Sequence, residues 1–229
     1  MRSVVLLSAG LDSSLNLYEA ALQSEIVLAL TFDYGQRAAH QEIKFAENLC
    51  SKIKVSHRVI KLEWMNDFGS SALTNHSLEI PTDEVRIDDL KVSHQTAKSV
   101  WVPNRNGILL NIAAGFAESL AAEWIVPGFN IEEAATFPDN SQEYLEQQTH
   151  TFKYSTANAV KVKCFTTQLN KSQIIKRSIE LGLDLNLIWP CYFDGEIPCG
   201  ECESCKRFVR AARANQTKTK WMANENEMD

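Results

Sequence analysis

The fold of this 229-residue chain is decided near its amino end by the stretch Leu6-Leu7-Ser8-Ala9-Gly10-Leu11-Asp12-Ser13-Ser14. Apolar residues 4–7 predict a buried strand, the small residues after them a tight loop, and the apolar spacing over residues 13–23 a helix. Ligands of open α/β sheets bind where strands end, and a helix N-terminus there attracts anions. We therefore predict an anion-binding junction; the alternative is an ordinary turn with Asp12 or Ser13 as the helix N-cap.

The loop matches neither of two common phosphate-binding patterns. It lacks the Gly-Lys-Ser/Thr of a Walker A loop and the G-x-G-x-x-G of a dinucleotide-binding turn. Ser8, Ser13 and Ser14 nevertheless supply hydroxyl groups, and Gly10 and, less completely, Ala9 let a phosphate approach the backbone. The residues thus favour a phosphate cradle of another type.

Beyond this junction, strand and helix patterns alternate along the chain. Apolar runs predict strands at 26–32, 55–62, 124–127 and 160–165. Helical spacing predicts helices at 39–53, 108–122, from 140 or 141 to 159, 172–181 with Gly182 as its C-terminal cap, and 205–214. The alternation predicts an α/β fold, a parallel sheet flanked by helices. Residues 63–100 break the pattern and predict a long, partly irregular insertion near the active site.

Four of the six cysteines lie close together near the carboxyl end. Two overlapping C-x-x-C steps suit tetrahedral Zn²⁺ coordination, and an iron–sulfur cluster is the alternative. The other two, Cys50 and Cys164, lie in apolar surroundings and are predicted to be inert buried thiols. We predict an α/β domain over 1–185, followed by a zinc-binding region over 186–229 with these ligands: Cys191, Cys199, Cys202 and Cys205.

Composition and charge exclude several classes of protein. The net charge is −6 and the isoelectric point is near 5.5, which argues against a general nucleic-acid binder. No apolar run reaches the roughly 18 residues that a membrane span needs. The amino end turns polar too soon for a signal peptide, so the sequence predicts a cytoplasmic protein.

Several motifs carry a family resemblance. The stretch Ser8–Ser14 resembles the S-G-G-x-D-S signature of the PP-loop ATP pyrophosphatases, which adenylate a carboxylate or carbonyl oxygen. Among the PP-loop ATP pyrophosphatases, the chain most resembles the 7-cyano-7-deazaguanine synthase family of queuosine biosynthesis. Motifs similar to those of that family occur in the same order over residues 1–214. The resemblance implies an adenine nucleotide alpha-hydrolase-like, Rossmann-like sheet. The further motifs are Thr31–Arg37, Val102–Asn106, Gly128–Asn130, Phe137–Asp139, Lys171-Ser172, Trp189–Cys191 and Pro198–Arg207.

The resemblance also implies a reaction. An ATP-dependent C–N ligase would convert 7-carboxy-7-deazaguanine and ammonia to the 7-nitrile through an acyl-adenylate and an amide, releasing AMP and pyrophosphate. A structural Zn²⁺, Mg²⁺ with the ATP, and a homodimer are implied, without direct contact to nucleic acid or membrane. The alternatives are a divergent PP-loop paralogue that adenylates a related acid or a tRNA base, and a non-catalytic zinc- and ATP-binding module.

The resemblance implies roles for particular residues. Arg105, Asn106 and Asp139 would bind the substrate, with Asp139 at its guanine-like edge. Arg105 and Lys171 would be the cationic contacts to phosphate or to the substrate carboxylate. Surface ion pairs for Arg105 and Lys171, and a turn role for Asp139, are the alternatives. The implied catalytic residues are Ser8, Asp12, Arg105 and Lys171, and the implied ATP contacts are Leu7, Ser8, Ala9, Gly10, Leu11, Asp12, Ser13 and Ser14.

The chain departs from the family pattern at a few positions. Ala9 replaces the usual glycine, and its methyl group either crowds the phosphate or is harmless if its φ is negative. Phe137 stands where tyrosine is common, and Asn140-Ser141 stands where Cys-Arg is frequent. These changes leave the predicted fold intact and bear on substrate contacts.

Overall fold

The computed structural model describes residues 1–82, 87 and 96–222. Its strands form a five-stranded sheet in the order β3-β2-β1-β4-β5. All neighbouring strands run parallel, which confirms the predicted α/β class. The strands are β1 (Arg2–Leu6), β2 (Glu25–Asp33), β3 (His57–Lys61), β4 (Trp124–Val126) and β5 (Lys161–Val162).

Helices connect the strands and close the carboxyl end of the chain. Short 3₁₀ helices also occur at Glu63–Phe68, Pro138–Asn140 and Leu185–Leu187. The α-helices that carry the argument are α1 (Leu11–Gln23), α2 (Ala39–Ile53), α3 (Arg105–Ser119), α4 (Ile131–Ala134), α5 (Gln142–Ser155), α6 (Lys171–Glu180) and α7 (Glu203–Ala214).

Helices cover both faces of the sheet. Successive strand residues point to opposite faces, so neighbouring residues of β1 pack into different apolar clusters. Val4 belongs to an apolar cluster with Leu110 of α3 and Phe152 of α5. Its neighbour Val5 belongs to a second cluster with Leu15 of α1 and with residues of α2, α6 and α7. Burial of this kind contributes roughly 25 cal/mol per Å² of apolar surface, so the two clusters are the main source of stability.

The strand order places a crevice at the carboxyl end of the sheet. After β1 the chain runs through α1 to β2 on one side, whereas β4 pairs with β1 on the other side. Connections that depart in opposite directions from neighbouring strands leave a crevice between them. The loops after β1 and β4 therefore face each other.

Helix ends mostly agree with the predicted ones. Ser141 caps α5 by accepting a hydrogen bond from the Tyr144 N–H, and Gly182 follows α6 with a φ of 70°. The helix predicted from Ile108 begins earlier, at Arg105, because Asn104 takes a left-handed conformation (φ 50°) that turns the chain into the helix. Strand β5 is shorter than the predicted 160–165.

The predicted insertion is partly ordered by a single arginine. Arg37 donates through Nε to the Ala72 carbonyl oxygen at 2.9 Å and through Nη2 to that of Leu78 at 2.5 Å. Residues 96–100 are helical. The charge cluster at 83–89 lies outside the described residues, apart from position 87.

The cysteine-rich region shares the core of the rest of the chain. Phe208 of α7 lies in the same apolar cluster as Val5, and α7 packs against α6. The boundary between 185 and 186 stays a prediction. Cys50 is buried, as predicted, and burial raises the pKa of its thiol to about 12. In the described part of the chain, no helix is long and apolar enough to cross a bilayer.

Candidate active site

A cavity of about 240 Å³ opens at the carboxyl end of the sheet. Its walls come from the loops after β1, β2 and β4, the start of α3, and the segment before α7. Most of the predicted nucleotide and substrate residues line it, although they are far apart in sequence. These are Leu7, Ser8, Gly10, Leu11, Asp12, Ser13, Arg105, Asn106, Asp139 and Lys171.

The loop after β1 presents hydroxyl groups and the amino end of α1 to this cavity. Gly10 is the N-cap, with extended backbone (φ −68°, ψ 165°), so the alternative in which Asp12 or Ser13 caps the helix does not hold. The Ser13 Oγ accepts from the Ser8 N–H at 3.3 Å and lies 3.2 Å from the Ser8 Oγ. Asp12 is thereby left for contacts outside its own helix. Ser14 is fully buried behind the loop and does not line the cavity.

Ala9 has a positive φ, so the negative φ under which its methyl group was expected to be harmless does not occur. Its φ is 56°, and an L-residue in this conformation costs about 1–2 kcal/mol. The side chain is completely buried in the cluster of Val5 and Leu7, and Ala9 does not line the cavity. The methyl group therefore strains the backbone without crowding a ligand. The Ala9 carbonyl oxygen accepts from the Trp189 N–H at 2.9 Å.

A buried ion cluster joins α1, α4 and α6 at the cavity wall. Lys171 Nζ lies 2.6 Å from Asp12 Oδ2 and 2.8 Å from Glu133 Oε1, and its side chain is only 7% exposed. Asn130 Nδ2 donates to the same Asp12 oxygen at 2.9 Å. Lys171 is therefore part of a buried network, and the surface ion pair considered for it is wrong.

The charges of this cluster shift one another's pKa values. Burial raises the pKa of Asp12 to about 6, although Lys171 opposes that shift. Burial acts the same way on Glu133, but Lys171 outweighs it and holds the Glu133 pKa below its usual value. Burial lowers the pKa of Lys171, yet the two carboxylates keep it above the ordinary lysine value. One positive charge thus stabilises two carboxylates away from water.

One oxygen of Asp12 is left over in this arrangement. Among the described residues, Asp12 Oδ1 is buried and accepts no hydrogen bond. A buried polar atom without a partner costs about 1–3 kcal/mol. A carboxylate oxygen in a cavity wall suits a hard cation such as Mg²⁺, which prefers oxygen ligands.

Gly128 lets the loop after β4 touch the start of α1. A Cβ atom at this position would lie 2.4 Å from both the backbone N and the Cα of Ser13. Because those are backbone atoms, no side-chain rotation relieves the overlap. Glycine is therefore required for the two crevice loops to meet.

The start of α3 carries the second predicted group. Arg105 Nη1 donates to the Tyr34 hydroxyl at 3.4 Å, and its Nε donates to Asn106 Oδ1 at 3.2 Å. Burial raises the pKa of Asp139, and the nearby Arg105 opposes this shift. Asn106 Nδ2 is buried and, in the described chain, has no hydrogen-bond partner. Charge and hydrogen-bonding groups are thus available for a polar ligand.

Several cavity residues were not predicted from the sequence. Trp101 and Phe137 have nearly parallel rings, with 6.0 Å between centroids and 7° between planes. Both line the cavity, as do Glu42 and Tyr192. The only signal for Trp101 was its place directly before the Val102–Asn106 motif. Nothing in the local pattern of α2 distinguished Glu42 from a solvated residue.

The four clustered cysteines meet at one point. Their Sγ atoms all lie within 4.8 Å of one another. The backbone N–H groups of Phe193 and Cys199 donate to Cys191 Sγ, and that of Cys202 donates to Cys199 Sγ. Tetrahedral Zn–S bonds of about 2.3 Å place sulfur atoms about 3.8 Å apart, so the cluster fits a bound metal ion.

Ion pairs tie this cysteine cluster to the cavity. Arg207 of α7 pairs with Glu203 at 2.6 Å and with Glu132 of α4 at 3.1 Å. Glu132 also accepts from the backbone N–H of Lys171 at 2.8 Å. The segment that carries the thiols is therefore fastened to the helix that presents Lys171.

Comparison with known proteins is consistent with this geometry. The family model described as "Queuosine biosynthesis protein QueC" matches residues 2–216. A 7-cyano-7-deazaguanine synthase from Bdellovibrio bacteriovorus is 54% identical over 215 residues, covering 93% of each chain. The corresponding protein from Methanosarcina barkeri is 46% identical over 217 residues, covering 92% of this chain and 93% of its own.

A solved structure shows the same fold in a distant protein. A 4-thiouridine synthetase in complex with RNA and bound ATP superposes with a TM-score of 0.52 at 14% identity, covering 93% of this chain and 50% of that one. At this identity the likeness shows the fold alone. The family model and the two relatives each span nearly the whole sequence, and on that ground this chain belongs to the family of the queuosine biosynthesis protein QueC.

Proposed function

We propose that this protein is an ATP-dependent C–N ligase that converts 7-carboxy-7-deazaguanine and ammonia to 7-cyano-7-deazaguanine. The proposed product is the one that the names of the two relatives state. The observation that carries the proposal is the buried Asp12–Lys171 pair at the amino end of α1, in the same cavity as Arg105. Such a site combines groups for a triphosphate with a cation for a carboxylate.

Activation is needed because a carboxylate is a poor electrophile. Its oxygen attacks the α-phosphorus of ATP, pyrophosphate leaves, and the resulting acyl-adenylate has AMP as a good leaving group. Ammonia then forms the amide, and a second adenylation on the amide oxygen allows the nitrile to form. The chain's task is to position the groups and stabilise developing charge.

Each predicted residue receives a role in this scheme. Ser8, Ser13 and the backbone N–H groups at the start of α1 hold the leaving pyrophosphate. Lys171 stabilises negative charge that develops on the phosphates. Arg105 binds the substrate carboxylate, which suits its planar guanidinium group. Asp139 accepts N–H groups of the guanine-like edge, in a cavity that the stacked rings of Trp101 and Phe137 also line.

Two metal ions complete the proposal. Zn²⁺ bound by the four cysteines is structural, since a Cys₄ shell leaves no position open for water. Mg²⁺ that accompanies ATP would be held by Asp12 through Oδ1, and it would offset phosphate charge. We further propose a cytoplasmic homodimer that acts on small molecules and does not bind nucleic acid directly.

The proposed reaction is tested by mass spectrometry of the product. Incubation with 7-carboxy-7-deazaguanine, ATP, Mg²⁺ and ammonium is expected to yield the nitrile together with AMP and pyrophosphate. Formation of ADP and phosphate would contradict the adenylation chemistry. Pyrophosphate release that depends instead on tRNA and sulfide would favour the paralogue alternative, and no turnover with any acid would favour a binding module.

Replacement of a cysteine ligand tests the zinc. Cys202→Ser is expected to reduce bound zinc from about one ion per chain and to lower the thermal midpoint, because metal binding contributes directly to folding. Elemental analysis by mass spectrometry and thermal unfolding with and without a chelator measure both effects. The control Glu201→Gln changes an exposed residue of the same loop and leaves all four thiols. Stoichiometric iron in the purified protein would refute the zinc assignment.

A further inference from the structure

Glu42 is a carboxylate in the cavity wall that the scheme above does not use. It belongs to the first turn of α2 and lines the same cavity as Asp12 and Arg105. It forms no ion pair with any residue that the structure describes. Its side chain is only partly exposed, and carboxylates are rarely withdrawn from water without a compensating cation or ligand.

Hydrogen bonds hold the carboxylate in one orientation. Gln36 Nε2 donates to Glu42 Oε2 at 2.8 Å and to the Phe32 carbonyl oxygen at 2.9 Å. Gln36 Oε1 in turn accepts from the Tyr34 N–H at 2.9 Å. Gln36 is thus fixed at both ends of its amide. Over the described ranges, Glu42 Oε1 accepts no hydrogen bond, which leaves one oxygen for a ligand.

The groups around Glu42 make it able to exchange a proton near neutral pH. Burial is the main cause that raises its pKa, to about 7, and the carboxylate of Asp33 at the end of β2 adds to the shift. Arg105 of α3 and the hydrogen bond from Gln36 oppose it. The hydroxyl of Tyr34 is buried and accepts from Arg105. Burial is the main cause that raises its pKa, and the charge of Glu42 adds to that shift.

We propose that Glu42 binds the ammonium ion and removes a proton from it, so that neutral ammonia attacks the acyl carbon of the substrate held at Arg105. The proposal rests on the proposed function and deepens it. Ammonium has no free electron pair and cannot attack. Once its proton passes to Glu42, the nitrogen pair forms the C–N bond, the C–O bond to AMP breaks with its electrons on the phosphate oxygen, and the second proton passes to water.

Ammonium fits Glu42 better than the edge of the deazaguanine does. Asp139 and the buried Nδ2 of Asn106, which has no hydrogen-bond partner among the described residues, already offer groups for that edge. Glu42, in contrast, lines the same cavity as Arg105, and Gln36, which donates to Glu42, also accepts from the backbone of Tyr34, whose hydroxyl accepts from Arg105. Glu42 therefore lies in the wall of the cavity in which the activated carboxyl would be held, and the nucleophile must enter that cavity.

The test compares Glu42→Gln with Glu47→Gln, a matched change at an exposed position of the same helix. Glu42→Gln is expected to slow amide formation from ammonium by about 100-fold or more, the usual contribution of a positioned base, and to raise the KM for ammonium. Exchange of labelled pyrophosphate into ATP with the acid present should stay unchanged. Hydroxylamine, which is mostly neutral near pH 7, should form hydroxamate at close to the wild-type rate. Glu47→Gln should behave like the wild type in all three assays.

Two results would overturn the proposal. One is a raised KM for the acid with normal use of ammonium, which would assign Glu42 to the deazaguanine edge. The other is loss of pyrophosphate exchange in Glu42→Gln, which would place its role before ammonia enters. Absence of exchange in the wild-type protein would instead refute the proposed function itself, so the two failures are distinguishable.

Discussion

Replacement of Lys171 by alanine is expected to lower the free energy of unfolding by about 3–5 kcal/mol and to abolish release of pyrophosphate. Removal of the ammonium group leaves Asp12 and Glu133 buried without a cation, which is the costly way to break a buried ion pair. Chemical denaturation measures the first effect, and a coupled pyrophosphate assay measures the second. Lys176→Ala is the control, because Lys176 is exposed on the same helix.

The stability loss in Lys171→Ala should depend on pH. Without Lys171, the carboxyl groups of Asp12 and Glu133 have folded-state pKa values above their unfolded values, so the folded state binds more protons. The stability of the variant then falls as pH rises from the unfolded-state to the folded-state pKa values of the two carboxyl groups. The loss of stability relative to the wild type should therefore be smaller at about pH 5 than at about pH 8. A deficit that does not change with pH would show that the two carboxylates do not depend on Lys171.

Gly128→Ala is expected to have the second large effect. The added methyl group would overlap the backbone of Ser13, so either the loop after β4 or the start of α1 must move. Such overpacking typically costs about 1–3 kcal/mol of stability. ATP affinity should fall by about 10-fold or more, because a loss of only ~1.4 kcal/mol of binding free energy lowers the affinity tenfold. Calorimetric titration with a non-hydrolysable ATP analogue measures this.

The chain contains a matched control for this substitution. Gly115 lies in the exposed part of α3, and a Cβ atom there would have no neighbour within 4 Å. Gly115→Ala should therefore leave ATP affinity unchanged and raise stability by up to about 1 kcal/mol, through helix propensity alone. If Gly128→Ala behaved like Gly115→Ala, the close contact between the two crevice loops would not matter for nucleotide binding.

The architecture was largely predictable from the sequence, because alternating apolar patterns reflect burial directly. The strand at 4–7 and the helix at 39–53 follow from spacing alone, and both occur in the structure. The order of the motifs also placed the site at the carboxyl end of the sheet. Local patterns therefore determined which elements form and which ends of them meet.

The contacts within the site were less predictable, because they join distant parts of the chain. Lys171 and Asp12 are separated by 159 positions, and no local pattern shows that they pair. The alternative role of Asp12 as an N-cap fails for the same reason: Asp12 resembles a cap in sequence, but in the fold its side chain accepts from Lys171. The backbone conformation of Ala9 was also hidden, since alanine gives no signal for a positive φ.

The hydrogen bond from the Trp189 N–H to the Ala9 carbonyl oxygen has a consequence for how the protein responds to oxidants. Trp189 lies two positions before Cys191, so the loop that we propose binds the nucleotide is hydrogen-bonded to the segment that carries the clustered cysteines. If the four thiolates hold a metal ion as proposed, their oxidation to disulfides would remove them as ligands. On the proposed function, we therefore expect nucleotide affinity to depend on the redox state of the surroundings, through this backbone contact and the ion pair of Arg207 with Glu132.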